Sequence, residues 1–146
     1  MEIRFENKVA FITGAAGGIG YAAARMFAEA GASVVMADLD SRVTDRAKEL
    51  EAKGHNAIGI RCDVSDEAQV KAAVEKAVAV FGKLDIAYNN VGIHAAVRED
   101  LAETEGWDFD RVISVNLRGV WNCMKYELVE MKKHGKGAIV NCSSQG

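Results

Sequence analysis

The sequence predicts an α/β protein with a doubly wound parallel sheet, and this prediction rests on two observations. Five short apolar runs of strand length alternate with four helical patterns, and such regular alternation is typical of βαβ units. The strand-like runs are apolar almost without interruption, as expected for strands that are buried on both faces of a sheet. The 146 residues, 49% of them hydrophobic, are enough for a sizeable core, so residues 1–146 are predicted to form a single domain.

The first strand is predicted over residues 8–13 and its helix over residues 18–30, where Gly31 ends the helical pattern. The spacing of the apolar residues on this helix predicts one buried stripe. The members of the stripe are Ile19, Ala22, Ala23, Met26, Phe27 and Ala30.

The next three strands are predicted at residues 33–38, 56–62 and 84–89. A helix of mixed charge over residues 41–53 lies between the first two, and Gly54 follows it in the position of a C-cap. Another amphipathic helix precedes the last of these strands. Ser65 is predicted as its N-cap because acidic residues follow in the first turn, and Gly82 ends it.

A long helix is predicted over residues 106–133, after a polar, loop-like region from Asn90 to about Glu103. Glycines at positions 135 and 137 break it, and residues 138–143 form the fifth predicted strand. The helical spacing is carried by Val112, Val115, Gly119, Cys123, Leu128 and Met131.

Charge and composition exclude several kinds of partner. The formal net charge is −3, and no run of Lys and Arg extends beyond Lys132-Lys133, so no nucleic-acid interface is predicted. No apolar stretch approaches the roughly 20 residues of a membrane span, and the first six residues lack the apolar core of a signal peptide. A cytoplasmic protein without membrane contact is therefore expected. The spacing of Cys62, Cys123, Cys142, His55, His94 and His134 matches no zinc site, so no metal is predicted. The three cysteines are predicted to be reduced thiols.

The loop from Thr13 to Gly20 has the features of a phosphate cradle for a dinucleotide. Gly14 suits a sharp turn with positive φ after the first strand. Gly18 and Gly20 have no side chains, which lets a pyrophosphate and the preceding strand approach the helix backbone closely. The glycine spacing differs from the common GxGxxG fingerprint, so further support has to come from other parts of the chain.

In a doubly wound sheet, ligands bind beyond the carboxyl ends of the strands. Asp38 ends the second predicted strand, 18 residues after Gly20, close to the offset of about 20 residues expected for a carboxylate that binds the adenosine ribose. Its charge repels a 2′-phosphate, and Ala15, Ala16 and Leu39 offer no cation, although Arg42 is near enough in sequence to reach back. The prediction is NAD in preference to NADP; the alternative is that Asp38 only caps a turn.

With these residues in place, the chain resembles the N-terminal part of the classical short-chain dehydrogenases/reductases, over all 146 residues. The resemblance implies a Rossmann fold with further strands in a full-length chain. It rests on five motifs in order: Thr13-Gly14-xxx-Gly18-x-Gly20; Asp63-Val64; Asn89-Asn90-Val91-Gly92, with Val91 where the family's NNAG motif has Ala; Asn116 within Val115-Asn116-Leu117; and the strand Ile139 to Ser144.

The resemblance implies an oxidoreductase that transfers a hydride between NAD(H) and a secondary alcohol or ketone. Ser144 matches the family's catalytic Ser, and Asn116 matches its active-site Asn, which holds a water in a proton relay. The implied cofactor-binding residues are Gly14, Ala16, Gly18, Ile19, Gly20, Asp38, Leu39, Asp63, Val64, Asn90, Val91, Gly92 and Val115. It also implies a homotetramer or homodimer that assembles through helix 106–133, although the sequence of this helix equally fits a buried helix.

The family's proton donor, a Tyr in a YxxxK pair, has no match after Ser144. Tyr126 has Glu130 in place of the Lys and lies upstream, so the role is not transferred to it. The chain ends at Gly146, about where the family continues to its Tyr. The expectation is a domain truncated after the fifth strand, inactive by itself.

Several alternatives stay open at this point. Asn116 can serve only to bond buried backbone, Asp63 can be only a helix-start residue, and Ser143 and Ser144 can be turn residues that close a strand. The runner-up function is a non-catalytic dinucleotide-binding or regulatory module. A methyltransferase that uses S-adenosylmethionine is disfavoured because it gives no reason for Asn116 and Ser144.

Overall fold

The computed structural model describes residues 3–96 and 100–144, which contain one five-stranded sheet. All strand pairs are parallel, and the strand order is β3-β2-β1-β4-β5. The doubly wound parallel sheet predicted from the sequence is thereby confirmed. The strands are β1 (Val9–Thr13), β2 (Ser33–Asp38), β3 (Ala57–Arg61), β4 (Ile86–Asn89) and β5 (Ala138–Asn141).

Helices cover both faces of this sheet, as predicted. They are α1 (Gly18–Glu29), α2 (Val43–Glu51), α3 (Glu67–Phe81), α4 (Gly106–Ile113) and α5 (Val120–Lys133). Alternate residues of β1 point to opposite faces of the sheet. Val9 and Phe11 pack in a core with α3 and α5, and Ala10 and Ile12 pack in a core with α1 and α2. The apolar character of β1 and β2 therefore follows from their burial on both sides, whereas the edge strand β5 is mostly exposed, contrary to the prediction.

The predicted long helix differs from the prediction in its middle. Helical structure runs from residue 106 to residue 133, but α4 and α5 are joined by a π-helical segment, Ser114–Gly119. Short π segments inside α-helices occur frequently at functional sites, and this one contains Asn116. None of the helices in the described ranges is both long enough and apolar enough to cross a membrane.

The predicted buried stripe of α1 is wrong at three positions, because Ile19, Ala22 and Met26 are all exposed. Ile19 is 69% exposed and Met26 is 66% exposed. The face turned to the sheet carries the small residues Gly20, Ala24 and Ala28 instead. Close packing of α1 against β1 leaves no room there for larger side chains, so Ile19 and Met26 lie on the outer side of the helix, while Phe27 packs at the margin of the core.

The predicted N-cap of α3 is also wrong by one residue. The carboxylate of Asp66 accepts hydrogen bonds from the backbone N–H groups of Ala68 at 2.9 Å and Gln69 at 3.2 Å. The hydroxyl of Ser65 instead donates to Asp63 at 2.7 Å. A charged acceptor at the positive end of the helix is favoured over a hydroxyl. Gly82 ends the helix with a φ of +85°, as predicted.

Candidate functional site

A cleft of about 560 Å³ opens at the carboxyl ends of the strands. It lies beside the junction of β1 and β4, where the strand order of the sheet reverses, and doubly wound proteins bind ligands at such a point. Among the described residues, its lining consists of Gly14, Asp38, Leu39, Asp40, Cys62, Asp63, Val64, Asn90, Val91, Gly92, Ile93 and Val115.

Nine of the thirteen residues predicted to bind the cofactor are in this lining. Of the other four, Ala16 and Gly20 are buried beside the cleft, while Gly18 and Ile19 are exposed at the start of α1. The two residues predicted to be catalytic, Asn116 and Ser144, are not in the described lining. The structure thus brings the predicted cofactor residues together from four strand ends and the π segment.

Two glycines of the loop after β1 pack so closely that side chains are excluded. A Cβ at Gly20 would lie 2.6 Å from the carbonyl carbon of Gly14 and 2.8 Å from Nδ2 of Asn90. A Cβ at Gly14, whose φ is +68°, would lie 2.9 Å from the same Nδ2. The start of α1, the loop and the end of β4 therefore form a cradle of bare backbone, which fits the phosphate groups of a dinucleotide.

The carboxylate of Asp38 is fixed at the rim of the cleft by two backbone groups. Its Oδ2 accepts a hydrogen bond from the N–H of Ala16 at 2.9 Å, and its Oδ1 accepts one from the N–H of Asp40 at 2.9 Å. Asp38 thus both caps the turn after β2 and faces the cleft. The two interpretations of this residue from the sequence are compatible in the structure.

The guanidinium groups near Asp38 are directed to other partners. Arg42 donates from Nε to Oδ2 of Asp40 at 2.8 Å, and its Nη2 lies 2.6 Å from the same oxygen. This hydrogen bond from Arg42 lowers the pKa of Asp40. Arg46 pairs with Glu49 at 3.0 Å. Arg42 therefore pairs with Asp40, and Arg46 also donates from Nε to the carbonyl oxygen of Ala16 at 3.4 Å.

The turn that carries Asp63 and Val64 is held by two residues of the long helix: Asn122, which the sequence did not single out, and Gly119, which it placed only in the helical spacing. The fully buried amide of Asn122 donates to the carbonyl oxygen of Val64 at 2.8 Å. Gly119 packs against the same residue, since a Cβ there would lie 2.7 Å from Cγ2 of Val64. The signal for this contact in the sequence is that Asn122 is a polar residue among apolar neighbours on the helix.

Thr13 is another residue of the site that sequence reasoning treated only as the start of the loop. Its hydroxyl oxygen accepts hydrogen bonds from the N–H of Asn90 at 3.0 Å and the N–H of Val91 at 3.4 Å. The side chain is almost fully buried. Thr13 thereby joins the end of β1 to the segment after β4, the two edges of the switch point.

Asn116 binds the backbone of one residue through both ends of its amide. Its Oδ1 accepts from the N–H of Ile93 at 2.8 Å, and its Nδ2 donates to the carbonyl oxygen of Ile93 at 2.8 Å. The geometry therefore supports the alternative in which the amide of Asn116 forms hydrogen bonds with backbone groups. The pair anchors the segment that follows Asn90, Val91 and Gly92 in the cleft.

Ser144 is exposed and lies three residues beyond the end of β5. β5 pairs with β4 through Asn141 opposite Asn89, and the N–H of Cys142 donates to the carbonyl oxygen of Asn89 at 2.9 Å. Ser144 therefore follows the strand that neighbours β4 at the same edge of the sheet as the cleft.

The fold assigns the molecule to the doubly wound α/β proteins of the Rossmann type. A family model described as short chain dehydrogenase matches residues 8–146. The chain belongs to this family, whose members generally bind NAD or NADP.

Several curated relatives are named as dehydrogenases. The chain is 45% identical over 140 residues to cis-4-hydroxycyclohexanecarboxylate dehydrogenase of Sinomonas cyclohexanicum, covering 96% of this chain and 56% of that protein. It is 42% identical to secoisolariciresinol dehydrogenase of Forsythia intermedia (97% and 50% covered). It is also 42% identical to cyclohexanol dehydrogenase of an Acinetobacter species (99% and 57% covered). The chain spans about half the length of the curated relatives it matches.

Proposed function

We propose that the full-length protein is an NAD(H)-dependent oxidoreductase that interconverts a secondary alcohol and a ketone. The observation that carries this proposal is the Asp38 carboxylate, which two backbone N–H groups hold at the rim of the cleft beside the glycine cradle. A fixed negative charge at this position accepts hydrogen bonds from a ribose and repels a phosphate in its place.

The residues of the cleft and of the loop and helix start beside it divide into subsites for the parts of a dinucleotide. Gly14, Gly18 and Gly20 form the phosphate cradle, with Ala16 and Ile19 contributing backbone of the same loop and helix start. Asp38 and Leu39 bind the adenosine ribose, and Asp63 and Val64 contact the adenine. The remaining edge consists of Asn90, Val91, Gly92 and Val115. When bound, NAD supplies the acceptor of the hydride.

Ser144 is proposed to donate a hydrogen bond to the substrate oxygen, which carries negative charge during hydride transfer. Asn116 is proposed to take part in the proton relay while its amide holds Ile93. Tyr126 does not suit the role of proton donor. Its hydroxyl donates to Glu67 at 2.8 Å, and this hydrogen bond raises the pKa of Tyr126, whereas an efficient general acid needs a pKa nearer the working pH.

The names of two relatives suggest the first substrates to assay. Cyclohexanol dehydrogenase and cis-4-hydroxycyclohexanecarboxylate dehydrogenase are both named for a secondary alcohol on a six-membered ring. We propose an alcohol of this class as the substrate and NADH formation from cyclohexanol and NAD as the assay. Tight NADH binding without turnover of any secondary alcohol would instead favour a non-catalytic dinucleotide-binding module.

The replacement Asp38→Ala tests the cofactor assignment. Charge-assisted hydrogen bonds contribute about 1.5–3 kcal/mol, so the replacement is expected to weaken NADH binding by about 10- to 100-fold. The variant is expected to bind NADPH as tightly as the unmodified protein does, or more tightly, because the charge that repels the 2′-phosphate is gone. The measurement is fluorescence titration of the full-length protein with both cofactors. Asp45→Ala removes an exposed carboxylate on α2 and is the charge-matched control. Tighter binding of NADPH than of NADH by the unmodified protein would overturn the assignment.

We also propose a homo-oligomer that assembles through the long helix. Large apolar side chains recur there at intervals of four residues and are exposed: Phe109, Ile113, Leu117 and Trp121, from 37% to 63%. A continuous exposed apolar stripe of this kind is typical of an interface.

The replacement Leu117→Asp tests this interface. A buried, unpaired carboxylate costs several kcal/mol, so the variant is expected to sediment as a smaller species than the unmodified full-length protein. Val80→Asp, at a 44% exposed position on α3, is the control and is expected to leave the sedimentation unchanged. An unmodified protein that sediments as a monomer would contradict the proposal.

A further inference from the structure

A buried polar cluster connects α5 to the ends of two strands. The side chain of Glu127 on α5 is fully buried, and Asn89 at the end of β4 is 2% exposed. The Nδ2 of Asn89 donates one hydrogen bond to Oε2 of Glu127 at 2.9 Å and another to Oδ1 of Asn141 on β5 at 3.0 Å. One amide group therefore joins the helix to β4 and β5.

Two atoms of this cluster have no hydrogen-bond partner among the described residues: Oδ1 of Asn89 and Oε1 of Glu127. If Glu127 were ionised, both atoms would be buried acceptors without a donor, which is unfavourable. A hydrogen on Oε1 of Glu127 that is donated to Oδ1 of Asn89 would give both atoms a partner. Because the two groups are already joined through Oε2 and Nδ2, such a bond would close a ring between acid and amide.

We propose that Glu127 is held as the neutral carboxylic acid, paired with Asn89 in such a ring, and that it is a positioning residue for the ends of β4 and β5. The ring fixes the amide of Asn89, and that amide in turn holds Asn141. The functional part of this inference rests on the proposed function, since Asn90, Val91 and Gly92 follow β4 and Ser144 follows β5.

The surroundings of Glu127 favour the neutral form. Burial raises the pKa of Glu127 from 4.5 to about 7. Among the described residues no Lys or Arg pairs with it. Four titratable side chains of the helix and of the elements packed against it are neutral or paired elsewhere. Burial raises the pKa of Cys123, and it raises that of Cys62, after β3, to about 11; Glu67 of α3 pairs with Lys125, and Glu130 pairs with Lys133.

The protonation state can be observed directly by infrared spectroscopy. At pH 6 the full-length protein is expected to show the carbonyl stretch of a protonated carboxyl group, and Glu127→Gln is expected to lack it. Glu130→Gln is the matched control, because Glu130 is also a buried helix carboxylate but is paired with Lys133, and this variant should retain the band. A spectrum without the band at pH 6 would overturn the proposal and favour an ionised Glu127 bridged by water.

The pH profile separates positioning from a merely structural contact. A carboxyl whose pKa is raised on folding binds its proton more tightly in the folded state, so its contribution is complete below pH 4.5 and is lost as the pH rises to about 7. Relative to Glu127→Gln, whose amide keeps both hydrogen bonds, the unfolding equilibrium constant of the unmodified protein should rise by up to about tenfold per pH unit in this window. NADH binds the folded state alone, so its dissociation constant should rise as the pH passes through about 7, where folded Glu127 ionises, and only in the unmodified protein.

Identical pH profiles of NADH binding in the two proteins would overturn the positioning role. If Glu127→Gln does not fold, titration of the infrared band in the unmodified protein still decides, because its midpoint should lie near pH 7. If NADH binds at no pH while the band is present, the proposed function fails and the acid–amide pair stands.

Discussion

Replacement of Gly20 by Ala is expected to abolish most of the affinity for NADH. The new Cβ would lie 2.6 Å from the carbonyl carbon of Gly14 and 2.8 Å from Nδ2 of Asn90, so the start of α1 or the loop has to move. Ala stabilises a helix interior by about 0.5–1 kcal/mol relative to Gly, whereas overpacking costs about 1–3 kcal/mol. The cost of overpacking is the larger free-energy change here, because the nearest atoms to the new Cβ belong to the backbone of Gly14 and cannot rotate away. Since the displaced backbone is also the proposed phosphate cradle, we expect a weakening of NADH binding of at least about tenfold.

The matched control is Gly17→Ala in the same loop. A Cβ at Gly17 meets no atom within 4 Å, and its φ of −170° is extended backbone that alanine adopts. Its NADH affinity, measured by fluorescence titration beside that of Gly20→Ala, should stay close to that of the unmodified protein. Equal effects of the two replacements would show that loop flexibility, rather than close backbone packing, determines the affinity.

Replacement of Ser144 by Ala in the full-length protein is expected to have the largest effect on turnover. Loss of one donor to a developing oxyanion costs about 10²- to 10³-fold in kcat. The affinity for NADH should not change, because Ser144 is outside the described lining of the cleft. The measurement combines steady-state oxidation of cyclohexanol with titration of NADH.

Ser143→Ala is the control for this experiment, since it removes a serine hydroxyl from the adjacent position. It should retain most of the turnover. If Ser143→Ala is the variant that loses activity, the catalytic role belongs to Ser143 and the correspondence with the family's motif is shifted by one residue.

The central strands β1 and β2 were predictable because burial on both faces requires apolar residues at every position. The run Val34, Val35, Met36 and Ala37, for example, has no polar interruption and coincides with the buried part of β2. The glycine loop was predictable for a similar reason. The contacts of Gly14 and Gly20 exclude side chains, so the requirement appears directly in the residue types.

The errors occurred where a choice between neighbouring residues depends on tertiary contacts. Apolar residues at Ile19 and Met26 suggested the buried face of α1, but the close packing on β1 favours a neighbouring face of small residues, Gly20, Ala24 and Ala28. Ser65 and Asp66 are both good N-caps, and only the geometry after β3 decides between them. The burial of Glu127 was not predictable, because a carboxylate in a helix is usually exposed.

The π-helical segment Ser114–Gly119 makes the long helix sensitive to its own length. A π turn holds about one residue more than an α turn, so the faces before and after it are offset by roughly 100° from a regular helix. This offset lets Asn116 hold Ile93 while Cys123 and Glu127 face the core. Deletion of one residue would bring the two halves of the helix into a common phase, and one of the two sets of contacts would turn away from its partner. Insertions and deletions in this segment are therefore more damaging than substitutions of its exposed residues.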